Sequence, residues 1–104
     1  MKTIAIPGFD RLNFKAGVPE QAVSLYNPNQ NTCYFKMSLI LADGTKLWES
    51  NLVEPGQAFN KITLSQSLPV GTYENTVLKY KCFSNSDGSG VLNGSENKFT
   101  LNVK

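Results

Sequence analysis

Between Cys33 and Leu41 the side chains fall into two interleaved sets. Cys33, Phe35, Met37, Leu39 and Leu41 share one parity, and Tyr34, Lys36, Ser38 and Ile40 the other. A period of two is that of a β-strand with one face buried. The period returns at Leu12 and Phe14, at Val23 and Leu25, and at Asn60, Ile62 and Leu64. It returns again where Leu78, Tyr80 and Cys82 oppose Val77, Lys79 and Lys81, and in Phe99, Leu101 and Val103. No window of about 11 residues carries the apolar stripe of a helix. Ile4 and Ile6 alternate ahead of Pro7-Gly8, which reads as an interrupted edge strand because proline cannot donate to a ladder.

Turn chemistry separates these runs. Asn27-Pro28-Asn29 and Glu54-Pro55-Gly56 are turn clusters. Asp43-Gly44 predicts a two-residue hairpin turn with a return strand over 45–50. Residues 84–97 are rich in Ser, Gly and Asn and read as a mobile loop. The chain of 104 residues is long enough for one domain over 1–104. About seven short antiparallel strands with frequent turns predict an all-β sandwich. A jelly roll or a small barrel has a similar signature.

Composition narrows function. The net charge is +2, and the basic set is nine Lys and one Arg, Arg11. That is weak for nucleic acid, whose readers favour the planar arginine fork. There is no histidine, so the commonest general base and metal ligand are missing. A serine nucleophile therefore lacks its usual partner. The carboxylates Asp10, Glu20, Asp43, Glu49, Glu54, Glu74, Asp87 and Glu96 fall mostly at turns, and no pair is set across a cleft. The expectation is a non-enzymatic domain without cofactor or metal. No apolar run approaches the length of a membrane span. Met1-Lys2-Thr3-Ile4 leads directly into strand pattern rather than a leader, so membrane attachment would need an anchor outside these residues.

Leu68-Pro69-Val70-Gly71-Thr72-Tyr73, leading into a strand, resembles the approach to the sixth strand of fibronectin-III-like and related immunoglobulin-like modules. Ala22 through Asn29 resembles the end of the second strand of envelope domains of that type. Ile6-Pro7-Gly8-Phe9, Leu52-Val53-Glu54-Pro55-Gly56 and Gly71-Thr72-Tyr73-Glu74-Asn75 are similar to stretches of small domains from Gram-positive surface or membrane-anchored proteins. The resemblance implies an immunoglobulin-like sandwich and a bacterial, extracellular or cell-envelope address. It implies a structural or adhesive role, with Tyr73 as a tyrosine corner whose hydroxyl bonds backbone upstream. Antibody-type domains place the second cysteine two residues after the corner tyrosine. Here Cys82 stands nine residues after Tyr73, so that disulfide is not expected.

A different pair is expected. In an immunoglobulin-like sandwich the strands holding Cys33 and Cys82 are antiparallel neighbours, and both thiols fall on the inner face. Cross-strand Cβ atoms about 4.5–5.5 Å apart approach disulfide range, which predicts a Cys33–Cys82 bond in an oxidising compartment. The alternative is two buried thiols packed as small hydrophobes. A zinc site or redox motif is disfavoured by the absence of Cys-x-x-Cys spacing.

The outer sheet face gathers Tyr34, Lys36, Lys79, Lys81, Lys98, Thr100 and Lys104. It is a candidate surface for an acidic cell-wall polymer, an acidic glycan or a protein; a solvated face that discourages edge pairing has the same look. A hairpin centred on Asp43-Gly44 sets Trp48 opposite Leu39 on the core face. A one-residue bulge would turn it outward, beside Tyr34, as a sugar-stacking platform. A carbohydrate-binding module is thus the alternative function. Asn85 to Gly90 has a distant likeness to a calcium loop with too few acids, and Asn93-Gly94-Ser95 is a sequon in pattern that reads as a turn.

Overall fold

A computed structural model describes Gly8 and residues 10–104. The strand expected through Ile4 and Ile6 lies outside the described residues. The described chain is all-β, with seven strands and no helix. They are β1 (Arg11–Phe14), β2 (Glu20–Tyr26), β3 (Tyr34–Ile40), β4 (Lys46–Glu49), β5 (Ala58–Thr63), β6 (Gly71–Phe83) and β7 (Val91–Val103).

Two sheets form. One has the order β1-β7-β6-β3-β4, and the other pairs β2 with β5. The larger sheet is mixed and curls like half a barrel, not antiparallel throughout as expected. β1 runs parallel to β7, with Arg11 beside Thr100 and Phe14 beside Val103. Parallel neighbours need a long connection between them. β1 and β7 stand at opposite ends of the described chain, so the whole domain serves as that connection.

The core takes the inward parity of both sheets. Phe35, Met37, Leu39, Leu78, Tyr80 and Leu101 are at most 1% exposed, and Leu25 and Ile62 of the small sheet join the same cluster. Burying each such large side chain is worth about 1.5–3 kcal/mol. Phe35 and Tyr80 meet edge to face at 5.2 Å.

Polar side chains tie the loops to this core. Asn27, fully buried, donates from Nδ2 to the carbonyls of Cys33 and Val53 at 2.9 Å each, and its Oδ1 accepts from Asn31 Nδ2 at 2.9 Å. That joins the end of β2 to the start of β3. Gln21 does the same between β1 and β2: its Oε1 accepts from Lys15 N, and its Nε2 donates to the carbonyls of Lys15 and Val18. Neither group was expected from the sequence. Asn27 nevertheless shares the parity of Val23 and Leu25, so alternation alone would have turned it inward.

The segment 84–97 is not a mobile loop. β6 and β7 are thirteen residues each and form one long hairpin. At about 3.3 Å per residue such strands are ~43 Å long, which matches the 43 Å long axis of the molecule. The turn is confined to residues 84–90, and Asn93-Gly94-Ser95 is not a turn but lies within β7. There the ladder slips between the pairs Tyr80–Ser95 and Cys82–Leu92, so that Asn93 and Gly94 together oppose Lys81.

Candidate functional site

The outer face of the larger sheet is assembled by register. Lys36 lies directly across from Lys81, Ser38 from Lys79, and Tyr34 from Phe83 on the β3–β6 ladder. On the β6–β7 ladder Val77 faces Lys98, Lys79 faces Glu96, and Phe83 faces Val91. The structure therefore brings Tyr34, Lys36, Lys79, Lys81 and Lys98 onto one surface. An apolar row, Tyr34–Phe83–Val91, borders it at the far end of the long hairpin.

Charge is uneven across this face. Glu49 of β4 sits 3.6 Å from Lys36 Nζ and 3.0 Å from Lys46 Nζ, and it accepts from Ser38 Oγ at 3.0 Å. The hydrogen bond from Lys46, then that from Ser38, holds its carboxyl at about 2. Lys36 is thus largely compensated. Among the described residues Lys79, Lys81 and Lys98 enter no ion pair. Lys36 and Lys81, directly opposite each other, are like charges that repel, while Lys79 has the acid Glu96 across from it.

Trp48 does not belong to this surface. It lies opposite Leu39, on the core side, and packs edge to face on Phe59 at 5.5 Å. It is half-buried there, while Tyr34 faces the other way. A sugar platform combining the two is therefore not built. A bulge does interrupt the β3–β4 ladder, but Trp48 keeps the core side. Ile40 pairs with Lys46 and Leu39 with Trp48, so Leu47 is the extra residue, and it is fully buried.

Cys33 and Cys82 are two free, buried thiols, and no disulfide joins them. The first ladder pair of β3 is Tyr34–Phe83, and Cys82 faces Phe35. The cysteines are diagonal neighbours rather than opposite ones. Diagonal Cα atoms stand about 7–8 Å apart, beyond the roughly 4.4–6.8 Å of most disulfides. The thiols still touch through a hydrogen bond. Burial raises the Cys33 thiol above its ordinary value, and burial with the neighbouring Cys33 pushes Cys82 up to about 11. Thiols held protonated in this way are poor nucleophiles.

Tyr73 Oη donates to the Pro69 carbonyl, four residues upstream, at 2.9 Å. Several carboxylates are occupied with local work. Asp43 accepts from Thr45 N, Asp87 from Ser89 N and Oγ, and Glu20 pairs with Lys61. Among the described residues no three His, Cys, Asp or Glu side chains gather as a metal site.

One concavity adjoins the lysine face. A groove of about 610 Å³ lies along the far half of the β6–β7 hairpin, bounded by Lys79, Lys81, Phe83, Val91, Leu92 and Gly94 among others. Sequence reading missed it because it took this half of β7 for a loop. No protein family, no curated protein and no solved structure matches the chain.

Proposed function

We propose that this chain is an immunoglobulin-like sandwich domain that serves, without catalysis, as a structural or adhesive contact module at a bacterial cell surface or envelope. Its contact face is the outer side of the β3–β6–β7 sheet, and its partner is an anionic cell-wall polymer or an acidic protein surface. The supporting observation is that Lys79, Lys81 and Lys98 share one sheet face with Tyr34 and Phe83, and that among the described residues only Glu96, across from Lys79, is an acid paired with any of them in the ladder. The strand order favours the immunoglobulin-like assignment. β4-β3-β6-β7 corresponds to C′-C-F-G, with B and E as β2 and β5 in the second sheet. The hydrogen bond from Tyr73 to Pro69 has the form of a tyrosine corner. The address rests on the resemblance of Leu52–Gly56 and Gly71–Asn75 to Gram-positive surface domains.

Titration with purified teichoic acid, with neutral dextran as control, tests the face. Binding that weakens steeply as salt rises from about 50 to 500 mM is expected, because the Debye length shrinks over that range. The combined variant Lys79→Gln, Lys81→Gln, Lys98→Gln should lose the polymer and keep its thermal midpoint. Salt-independent binding, equal capture of dextran, or an unaffected triple variant would refute the reading.

A further inference from the structure

We propose that Cys33 and Cys82 form a two-coordinate site for a soft monovalent cation of the Cu(I) class, held in line between the two sulfurs at the base of the long hairpin. This goes beyond contact through the lysine face, because the site lies in the core and uses neither the lysines nor the rim of the sheet.

The first observation is that two strands bring the thiols together and leave them unjoined. Cys33 directly precedes β3 and Cys82 lies near the end of β6. Both are free, and both are at most 3% exposed. Their side chains are in hydrogen-bond contact. Asn27 Nδ2 donates to the Cys33 carbonyl at 2.9 Å, which fixes the backbone that carries the first sulfur.

The second is the spacing. A disulfide sets its sulfurs about 2.05 Å apart, with most Cα pairs within roughly 4.4–6.8 Å. A metal–sulfur bond is about 2.3 Å, so an ion in line between two sulfurs holds them about 4.6 Å apart. The bridge is therefore about 2.5 Å longer than a disulfide. Diagonal neighbours, with Cα atoms about 7–8 Å apart, have that extra reach. The register that is too wide for a disulfide suits a bridging ion.

The third is the surroundings. In the ladders Cys82 stands between Phe35 of β3 and Leu92 of β7, and Phe35 is fully buried. Among the described residues no third His, Cys, Asp or Glu side chain joins the pair. Structural zinc almost always takes four ligands, and calcium takes six or more oxygens. Those ions are left short here. Thiolates in an apolar shell select soft ions such as Cu(I), which is satisfied by two ligands in line.

Loading exchanges protons for metal. Both S–H bonds break, two metal–sulfur bonds form, two protons leave to solvent and no electron is transferred. One negative charge remains on the complex, and the backbone amide of Cys33, which bonds its own sulfur, favours that charged form.

The test is anaerobic titration of the reduced protein with Cu(I), with bicinchoninate as the competing chelator and amide shifts followed by NMR. The protein should withdraw one equivalent from the chelator and release about two protons per ion. Amide shifts should centre on Cys33 and Cys82. The thermal midpoint should rise with one equivalent of Cu(I) or of redox-inert Ag(I), and stay in place with Zn(II). Cys33→Ala and Cys82→Ala should each weaken Cu(I) at least about hundredfold, since even the loss of an outer partner costs a metal site about 10–100-fold. No withdrawal from the chelator, or unchanged affinity in either variant, would overturn the proposal. So would shifts centred elsewhere in the wild-type protein, a readout that holds even where a variant fails to fold. A midpoint that falls with Cu(I) would overturn it as well, because the ion would then favour the unfolded chain. An equal response to Zn(II) would replace the two-coordinate site with one that has further ligands.

Discussion

The protein uses one turn twice, at the ends of two hairpins that meet opposite fates. In Leu41–Thr45, Gly44 N donates to Leu41 O, Leu41 N to Thr45 O, and Thr45 N to the Asp43 carboxylate. In Asn85–Ser89, Gly88 N donates to Asn85 O, Asn85 N to Ser89 O, and Ser89 N to the Asp87 carboxylate. The glycines have φ of 92° and 84°. Both are three-residue loops closed by a left-handed glycine, a common hairpin form. The β3–β4 hairpin lies on the core and its edge is sealed: Ser65 donates from N to Leu47 O and from Oγ to Lys46 O, and Lys46 and Glu49 put charge on the strand. Among the described residues, no strand and no such hydrogen bonds close the far half of β6–β7. A turn motif therefore fixes a hairpin's geometry, while its surroundings decide whether its edge is closed.

The largest expected contrast is in the strands themselves. Leu47 is wholly buried, and Leu47→Ala should cost about 2–5 kcal/mol in denaturant unfolding. Leu92 is 38% exposed, and Leu92→Ala should cost under about 1 kcal/mol. Equal losses would mean that the far hairpin is part of the cooperative core. Amide exchange should agree, with β4 amides opening only on global unfolding and those of Val91–Ser95 exchanging through local opening.

This contrast also explains what the sequence could disclose. Alternation is a signal of burial before it is a signal of strand. The β3 pattern was legible because its inward side chains meet a core, and so were Leu78, Tyr80 and Cys82. Residues 91–97 form a strand with little to bury, so Ser, Gly and Asn suffice and the segment reads as a loop. The pairing of Leu39 with Trp48 came out as expected, for a different reason. The loop holds three residues rather than two, with positive φ at Gly44 and not at Asp43, which shifts the ladder by one; the bulge at Leu47 shifts it back. Parity also put both cysteines on the inner face, but it could not tell opposite from diagonal. The parallel β1–β7 pairing left no trace, because no turn joins its strands.

The next prediction concerns the base of the long hairpin, where Cys82 meets Cys33. Both thiols titrate higher in the folded protein than in the unfolded chain, Cys82 near 11. Their contribution is therefore fully present below the ordinary thiol value of about 9 and is lost as pH rises towards 11. Urea midpoints should fall over that window, and less so in Cys82→Ala. At pH 8 iodoacetamide should label the native protein far more slowly than the urea-unfolded chain. Rapid labelling of the native state would show that the hairpin opens down to its base.

Gly44→Ala and Gly88→Ala make the same local change at both turns. Each places a Cβ at positive φ, a cost of about 1–2 kcal/mol. At Gly44 the whole cost should appear in the global midpoint, because β4 cannot form without its hairpin. At Gly88 most of it should vanish from the midpoint and appear as faster exchange near Ser84 and Val91. Indistinguishable midpoints for the two variants would join the hairpins into one folding unit.

The smallest contrast lies in the turn carboxylates. The Thr45 amide holds the Asp43 carboxyl below its ordinary value, and the Ser89 hydroxyl followed by its amide does so for Asp87. A depressed carboxyl contributes stability above its unfolded value, near 3.9, and loses it as pH falls through the lower folded value. Asp43→Ala should therefore lower the midpoint slightly at pH 7, and the gap from wild type should close as pH falls through the lowered folded value and the native carboxylate becomes protonated. Asp87→Ala should leave the midpoint in place at every pH and speed exchange of the Ser89 amide alone. The opposite assignment, with Asp87 governing the midpoint, would mean that the far turn helps to hold the core.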